Sequence, residues 1–380
     1  MDGERGEPHP RHAVRPAQQS YLEAAASCSG RVGPLLAALE GGGGAGGAGG
    51  AGGAGGAADE LAPFPGEGRT AERFAFLQRV AAEDVTAARV LEPHLDALAI
   101  LHEAGVEPPR PGSTFGVFAA EAPGSVLRAA PAAGGAGGGD AGLGAGGNAR
   151  AAADAWVLDG VKPWCSLGAR LTDALVTATT EGGDRRMFLV SLRQPGVTAE
   201  DTAWVARGLA EVQSGPLRFD GATARPVGGP GWYLDRPGFR WGAVGVAAAW
   251  RGGCLPFADA LIAKAKRAGA NQLAASRAGR VYRMLDAARA HLASAAAVID
   301  SQEPSNDDAA AIAHAVRGTV ADAVVETLAA VRDVLGPAAL AFDESLARRY
   351  ADLDLYVSQY HRGPDDASLA THLPDGGPRW

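Results

Sequence analysis

The chain has 380 residues, of which 54 are Gly and 47% are hydrophobic, and its formal net charge is -8. This length allows two or three domains. With three lysines and an acidic balance, a general nucleic-acid-binding surface is not expected. The three cysteines are widely spaced, so neither disulfides nor a metal site is predicted. The sequence contains no long apolar run, so neither secretion nor a membrane span is expected. A reduced, cytoplasmic protein is expected.

Residues 1–19, rich in Arg, Pro and His, predict a disordered N-terminus. Two Gly-rich tracts, 41–58 and 132–150, predict flexible insertions. Each tract contains a GxGxxG pattern by composition. Neither pattern follows an apolar strand, so the sequence predicts no dinucleotide fingerprint at either tract.

An N-terminal helical domain is predicted over residues 20–113. Apolar residues recur every three to four positions in the segment 71–104, which predicts one or two helices with a buried face. Pro108, Pro109 and Pro111 then end helical structure, because proline lacks the backbone N–H.

The pattern changes over residues 114–236 to short segments rich in β-branched and aromatic residues, which predict a small β-barrel. The predicted strands are 114–118, 155–158, 174–179, 187–192 and 216–219.

Residues 237–372 return to a helical period and predict a four-helix bundle, followed by a tail at 373–380. Ser305 with Asp308 gives an N-terminal cap signal, and Gly336-Pro337 a stop signal. One predicted helix has an apolar stripe at a spacing of three to four residues, formed by Ile312, Val316, Val320, Val324, Leu328, Val331 and Leu335. The predicted fold is thus α+β and multidomain: a helical domain, a central barrel and a C-terminal bundle.

Several segments resemble the acyl-CoA dehydrogenase superfamily between residues 71 and 369. Residues 84–94 (DVTAARVLEPH) are similar to the segment that leads into its β-domain, and residues 115–125 (FGVFAAEAPGS) to its strand and loop ending in Thr-Glu-Pro and Gly-Ser. Residues 158–166 (LDGVKPWCS) resemble its Gly-x-Lys-x-Trp strand. Arg251-Gly252-Gly253 resembles the start of the family's first bundle helix. Residues 349–353 (RYADL) resemble the Arg-Asp that precedes its final loop.

The resemblance implies FAD between the barrel and the bundle. It implies that donors and an aromatic wall surround the flavin ring. In this interpretation Trp164 is the wall; the alternative is that Trp164 fills the barrel core. The implied cofactor contacts are Ala120, Glu121, Ser125, Trp164, Cys165, Ser166 and Gly336.

The family's catalytic Glu has no counterpart at its two usual places, residues 356–366 and 241–247. His361, Asp365 and Asp366 are the candidate substitutes, since an imidazole can act as a base at neutral pH. The alternative is that His361 is simply exposed on a polar loop. The family's Gln-x-x-Gly-Gly-x-Gly, where the adenine half of a neighbouring subunit's FAD docks, is replaced by RDVLGPAA at 332–339, which keeps Gly336.

The sequence predicts a divergent superfamily member, a homodimer or homotetramer through the bundle. The first function hypothesis is an FAD-dependent oxidoreductase acting on the CH–CH group of an acyl thioester, such as an acyl-CoA, or a related small molecule. The alternatives are a flavin-dependent monooxygenase and a non-catalytic partner subunit. No metal site is predicted: Glu92, His94, Asp96, His102 and Glu103 crowd one helix without metal-ligand spacing.

Overall fold

The computed structural model describes residues 14–41, 61–132, 155–301 and 305–373. The predicted insertions at 41–58 and 132–150 and the tail at 373–380 lie outside the described residues, apart from the first residue of each. The helices are α1 (Pro16–Cys28), α2 (Gly33–Glu40), α3 (Thr70–Glu83), α4 (Val85–Glu103), α5 (Trp232–Asp235), α6 (Pro237–Ala265), α7 (Gln272–Ser301), α8 (Asn306–Phe342), α9 (Glu344–Val357) and α10 (Arg362–Thr371).

Helix α1 begins within the segment predicted to be disordered, so that prediction is wrong from Pro16 onward. Pro16 is in the first turn, where its missing N–H costs no hydrogen bond. Tyr21, Ala25 and Cys28 are buried at a spacing of three to four residues. The Arg and Pro content of the N-terminus conceals this short amphipathic stripe.

Helices α3 and α4 occupy the predicted helical segment and are separated at Asp84. The Asp84 carboxylate accepts a hydrogen bond from the Ala87 N–H at 2.9 Å and so caps α4. The buried face of α4 includes Leu91, Leu95 and Ile100. Two helices are therefore formed where one or two were predicted.

The strands are β1 (Phe115–Phe118), β2 (Leu127–Pro131), β3 (Trp156–Lys162), β4 (Asp173–Thr180), β5 (Arg185–Ser191), β6 (Val197–Ala199) and β7 (Leu217–Val227). Pairing in the order β4-β2-β3-β7-β5 and back to β4 closes a small five-stranded barrel. β1 pairs in parallel with the first half of β4, and β2 pairs in parallel with the last two residues of β4. β1 and β2 therefore share one edge of β4. β2 and β6, which are short and poor in large apolar residues, were not predicted.

Alternation along β4 joins the barrel to α4. Ala174 and Val176 belong to the main core, whereas Leu175, between them, packs in a second cluster with Ile100 and Leu101 of α4. Successive strand residues point to opposite faces, so one face of β4 serves the barrel and the other serves the helix. This packing holds α4 beside β1 and creates the cleft described below.

The four predicted C-terminal helices are present as α6, α7, α8 and α9, and the shorter α10 follows them. The Ser305 hydroxyl accepts from the Asp308 N–H, which confirms the predicted cap of α8. Gly336 has φ 74° and ψ -177°, and helical structure resumes after it as far as Phe342. Gly336-Pro337 therefore interrupts the helix instead of ending it. No helix in the described ranges is long and apolar enough to cross a lipid bilayer.

Candidate functional site

A cavity of about 230 Å³ lies between α4, the end of β1 and the loop after β3. Arg89 and Glu92, neighbouring residues on one face of α4, line its helical wall. Ala120, which follows β1, lines the opposite wall together with Trp164 and Ser166. We call this space the cleft cavity; it lies where the helical region meets the barrel.

Trp164 is the exposed aromatic side chain of the cleft cavity. It is 58% exposed, and its φ of 59° lies in the left-handed region that non-glycine residues rarely adopt. Hydrogen bonds from the Cys165 N–H to the Gly215 carbonyl (2.9 Å) and from the Leu167 N–H to the Gln213 carbonyl (2.7 Å) hold the loop. The alternative that Trp164 fills the barrel core is therefore wrong.

A short chain of hydrogen bonds connects α4 with the barrel loops. Ser214 donates to the Val212 carbonyl at 3.1 Å, and the hydroxyl oxygens of Ser166 and Ser214 are 2.8 Å apart. The Arg89 guanidinium donates to the Ser166 hydroxyl at 3.1 Å. The Ser166 hydroxyl thus links Arg89, the charged donor in this wall, to Ser214 of the barrel loop.

Glu92 is a buried carboxyl group in the same wall. Burial raises its pKa from 4.5 to about 7, since a low-dielectric environment penalises the charged form, and Arg89 opposes this shift. The Arg89 guanidinium is 4.0 Å away, and the Tyr356 hydroxyl donates to Glu92 Oε2 at 3.4 Å. The tyrosine ring packs edge-on against Trp250. A carboxyl group with this pKa can exchange a proton at neutral pH.

Comparison with solved structures identifies the fold. The dibenzothiophene monooxygenase TdsC from Paenibacillus sp. A11-2, solved with FMN, is 14% identical with a TM-score of 0.69, and the match covers 93% of this chain and 96% of TdsC. KijD3, solved with FMN and a dTDP-linked amino sugar, is 18% identical with a TM-score of 0.70, covering 94% of each chain. Butyryl-CoA dehydrogenase from Megasphaera elsdenii is 16% identical with a TM-score of 0.64, covering 95% of this chain and 98% of the enzyme.

The chain has the acyl-CoA dehydrogenase fold. The superfamily resemblance predicted from the sequence is thereby confirmed at the level of fold. No family model matches the sequence, and no curated protein matches it. The chain therefore shares this fold with proteins that are at most 18% identical to it in sequence.

Of the residues that the acyl-CoA dehydrogenase resemblance assigned to the cofactor, Ala120, Trp164 and Ser166 line the cleft cavity. Glu121 and Ser125 line a smaller, separate cavity of about 70 Å³, where Glu121 is paired with Arg185 at 3.1 Å. The structure therefore brings three of these residues together in the cleft.

The two remaining cofactor candidates lie elsewhere. Cys165 is buried, and its thiol donates to the Lys162 carbonyl at 3.2 Å. Burial raises the thiol pKa to about 12, so the group is protonated at neutral pH. Gly336 lies at the interruption of α8 and lines neither the cleft cavity nor the smaller one.

The three candidate catalytic residues lie at the start of α10. His361 is exposed, and its backbone N–H donates to the Asp365 carboxylate at 2.9 Å. Asp366 accepts a hydrogen bond from the Tyr360 hydroxyl. None of the three lines the cleft cavity, although the nearby Gln359 does. Their assignment as the base stays a prediction that this placement does not favour.

The site residues that the sequence analysis missed are Arg89, Glu92 and Tyr356. Arg89 and Glu92 lie within the segment 84–94, and the sequence distinguishes Glu92 only as a member of a polar cluster. His94 of that cluster is buried and accepts from the Phe115 N–H, and its pKa is lowered to about 4 by burial. Among the described residues, no three His, Cys, Asp or Glu side chains are arranged to hold a metal ion.

Proposed function

We propose that this chain is a flavin-dependent oxidoreductase whose flavin ring lies in the cleft cavity. The observation that carries the proposal is the exposed Trp164 in a cavity that also contains a guanidinium. Trp164 also has a left-handed backbone conformation, and non-glycine residues in that region cluster at active sites and ligand clamps. The proposal is also supported by the fold, since TdsC, KijD3 and butyryl-CoA dehydrogenase share it and the first two were solved with FMN.

The residues of the cleft fit an isoalloxazine ring. Trp164 offers a flat apolar face against which the ring can stack. The Arg89 charge, fixed by Ser166, suits a ring that gains negative charge when reduced. When bound, the flavin would supply hydride acceptance or, in reduced form, oxygen activation.

The first candidate reaction is dehydrogenation of a CH–CH group, with Glu92 as the base. The reaction needs a group that removes a proton beside the flavin, and Glu92 is a carboxyl group of the cleft wall with a pKa of about 7. Glu92 would replace the family's usual Glu from a different helix. Arg89, at 4.0 Å, would stabilise its ionised form.

The second candidate reaction is oxygen insertion with a reduced flavin. It is favoured by residues 332–339, where Gly336 interrupts α8 and the family's glycine-rich docking segment for the adenine half of FAD is missing. A cofactor without the adenine half, FMN, would not need that segment. In this case we expect FMN and FAD to bind with similar affinity.

Flavin retention by the purified chain tests the proposal. FMN or FAD is added, free cofactor is removed, and the visible absorption band is measured. We expect a retained band, and Trp164→Ala should weaken flavin binding roughly 5- to 150-fold, because ring stacking contributes on the order of 1–3 kcal/mol. Tyr282→Ala, which changes an exposed aromatic residue of α7, is the control and should not alter binding. A colourless wild-type protein that also consumes no oxygen with externally reduced flavin would refute the proposal and favour the partner-subunit hypothesis.

The two reactions are distinguished with the loaded protein. Bleaching of the flavin by an acyl thioester without oxygen indicates dehydrogenation, whereas oxygen consumption with externally reduced flavin indicates a monooxygenase. For dehydrogenation, Glu92→Gln should lower turnover by roughly 10²–10⁴-fold while flavin is retained, since a positioned base is lost. Unchanged turnover in Glu92→Gln would exclude Glu92 as the base.

A further inference from the structure

A second cavity, of about 520 Å³, lies between α4, the loop at 64–67 and the start of α6. We call it the α4 chamber. Asp96 borders both the α4 chamber and the cleft cavity. Arg89, Glu92, Asp96 and Glu103 are spaced by multiples of three to four residues, so both cavities lie along one face of α4.

The α4 chamber has more acidic than basic side chains. Three carboxylates border it, Glu67, Asp96 and Glu103, against the single guanidinium of Arg236. Glu67 pairs with His102 at 2.7 Å, and Glu103 accepts a hydrogen bond from Arg236. These two carboxylates therefore already have partners within the protein.

Asp96 has a long ion pair with Arg236 and no closer partner among the described residues. It makes no hydrogen bond within the described ranges, and the Arg236 guanidinium approaches it only to 4.0 Å. The α6 backbone passes close to it, because a Cβ at Gly242 would lie 2.7 Å from Asp96 Oδ1. Burial raises the Asp96 pKa, whereas Arg236 and Arg73 lower it. A largely buried carboxylate without a hydrogen-bond donor is costly unless a ligand supplies one.

Arg236 has unused capacity beside this carboxylate. Its side chain is 2% exposed, and its Nε and Nη2 atoms donate no hydrogen bond among the residues that the structure describes. Its guanidinium lies over the rings of Trp232 and Tyr233. Phe64, stacked on His102 with ring centroids 4.0 Å apart, adds an aromatic wall to the chamber.

We propose that the α4 chamber binds the substrate through a protonated amine. The ammonium group pairs with Asp96 at the chamber wall. The chamber disfavours a phosphate-rich group, because its carboxylates outnumber its guanidinium. That the bound amine is a substrate rests on the proposed oxidoreductase function, whereas the amine site itself rests on the residues of the chamber.

Three probes of similar shape and different charge test this site on the flavin-free protein. They are phenylethanolamine, phenylethylene glycol and mandelate, titrated by calorimetry at neutral pH. We expect phenylethanolamine to bind at least about tenfold more tightly than the glycol, and mandelate to bind most weakly. Equal affinities, or a preference for mandelate, would overturn the proposal.

Asp96→Asn should weaken phenylethanolamine binding by roughly 10- to 100-fold and leave the glycol almost unchanged, because only the charged hydrogen bond is lost. Asp259→Asn, at an exposed position of α6, is the matched control and should bind like the wild type. If Asp96→Asn does not fold, Ala99→Leu, which narrows the chamber, should weaken binding of both phenylethanolamine and the glycol.

Unaltered phenylethanolamine binding in both folded variants would place the amine outside the α4 chamber and refute the inference. Since flavin is absent from these titrations, the two proposals fail separately. An amine preference in a chain that neither retains flavin nor consumes oxygen with externally reduced flavin would support the chamber and refute the oxidoreductase.

Discussion

Glu92 and His94 lie two residues apart on α4, and burial shifts their pKa values in opposite directions. The Glu92 pKa rises to about 7, and the His94 pKa falls to about 4, because burial favours the neutral form of each. The Phe115 N–H donates to His94 Nδ1, which fits a neutral ring. One charged segment of α4 in the sequence therefore contains two groups that the fold keeps uncharged near pH 6.

The Glu92 shift predicts a pH-dependent stability. Between pH 4.5 and about 7 the unfolded chain ionises Glu92 while the folded chain keeps it protonated, so the free energy of unfolding falls as pH rises. Glu92→Gln removes this loss. We expect the stability of Glu92→Gln relative to the wild type to increase across this window by on the order of 3 kcal/mol, measured by urea unfolding.

The comparison must be made against the wild type at each pH. His94 acts with the opposite sign: its folded pKa lies below 6.5, so stability falls as pH drops from 6.5 toward about 4. Both proteins contain His94, and its contribution cancels in the difference. Parallel stability curves would show that Glu92 ionises alike in the folded and unfolded chains.

At the scale of elements, the close approach of α3 and α6 depends on glycine. A Cβ at Gly252 would lie 2.3 Å from the Gln78 carbonyl oxygen, so the two helix backbones are nearly in contact. Gly252 belongs to the Arg-Gly-Gly segment that supported the superfamily resemblance. The residue type was visible in the sequence, but the helix it faces was not.

Gly252→Ala should therefore destabilise the chain by roughly 1–3 kcal/mol, because α3 and α6 must move apart. Gly279→Ala is the matched control, since no atom lies within 4 Å of a Cβ at this exposed position of α7. Alanine favours the helix over glycine there and should add up to about 1 kcal/mol. Thermal unfolding of both variants checks the signs, and equal effects would contradict the contact at Gly252.

Sequence patterns predicted long helices better than short strands. A stripe such as that of α8 repeats over many turns, and its period of 3.6 residues is unambiguous. β2 has only five residues and few β-favouring side chains, and it is a strand because it pairs with β3 and β4. Helix α1 was missed for a related reason, since its polar surroundings hide a stripe of three buried residues.

At the scale of the whole molecule, α9 connects three regions that are distant in sequence. Arg349 donates to the carbonyls of Ala81, Ala82 and Glu83 at the end of α3. Asp352 accepts from the Leu209 N–H of the barrel loop and from the Thr86 hydroxyl of α4. The Arg-Asp pair quoted in the resemblance thus holds the helical region, the barrel and the bundle together.

The sequence by itself determined the order of helical, β and helical regions, the bundle stripes and the resemblance to the acyl-CoA dehydrogenase superfamily. These features depend on local period and short motifs, which need no knowledge of distant neighbours. Tertiary structure alone decided that Trp164 is exposed, that Glu92 meets Tyr356 and that Asp96 lies between two cavities. Burial and side-chain contacts depend on residues brought together from separate elements, so they cannot be predicted from any single segment.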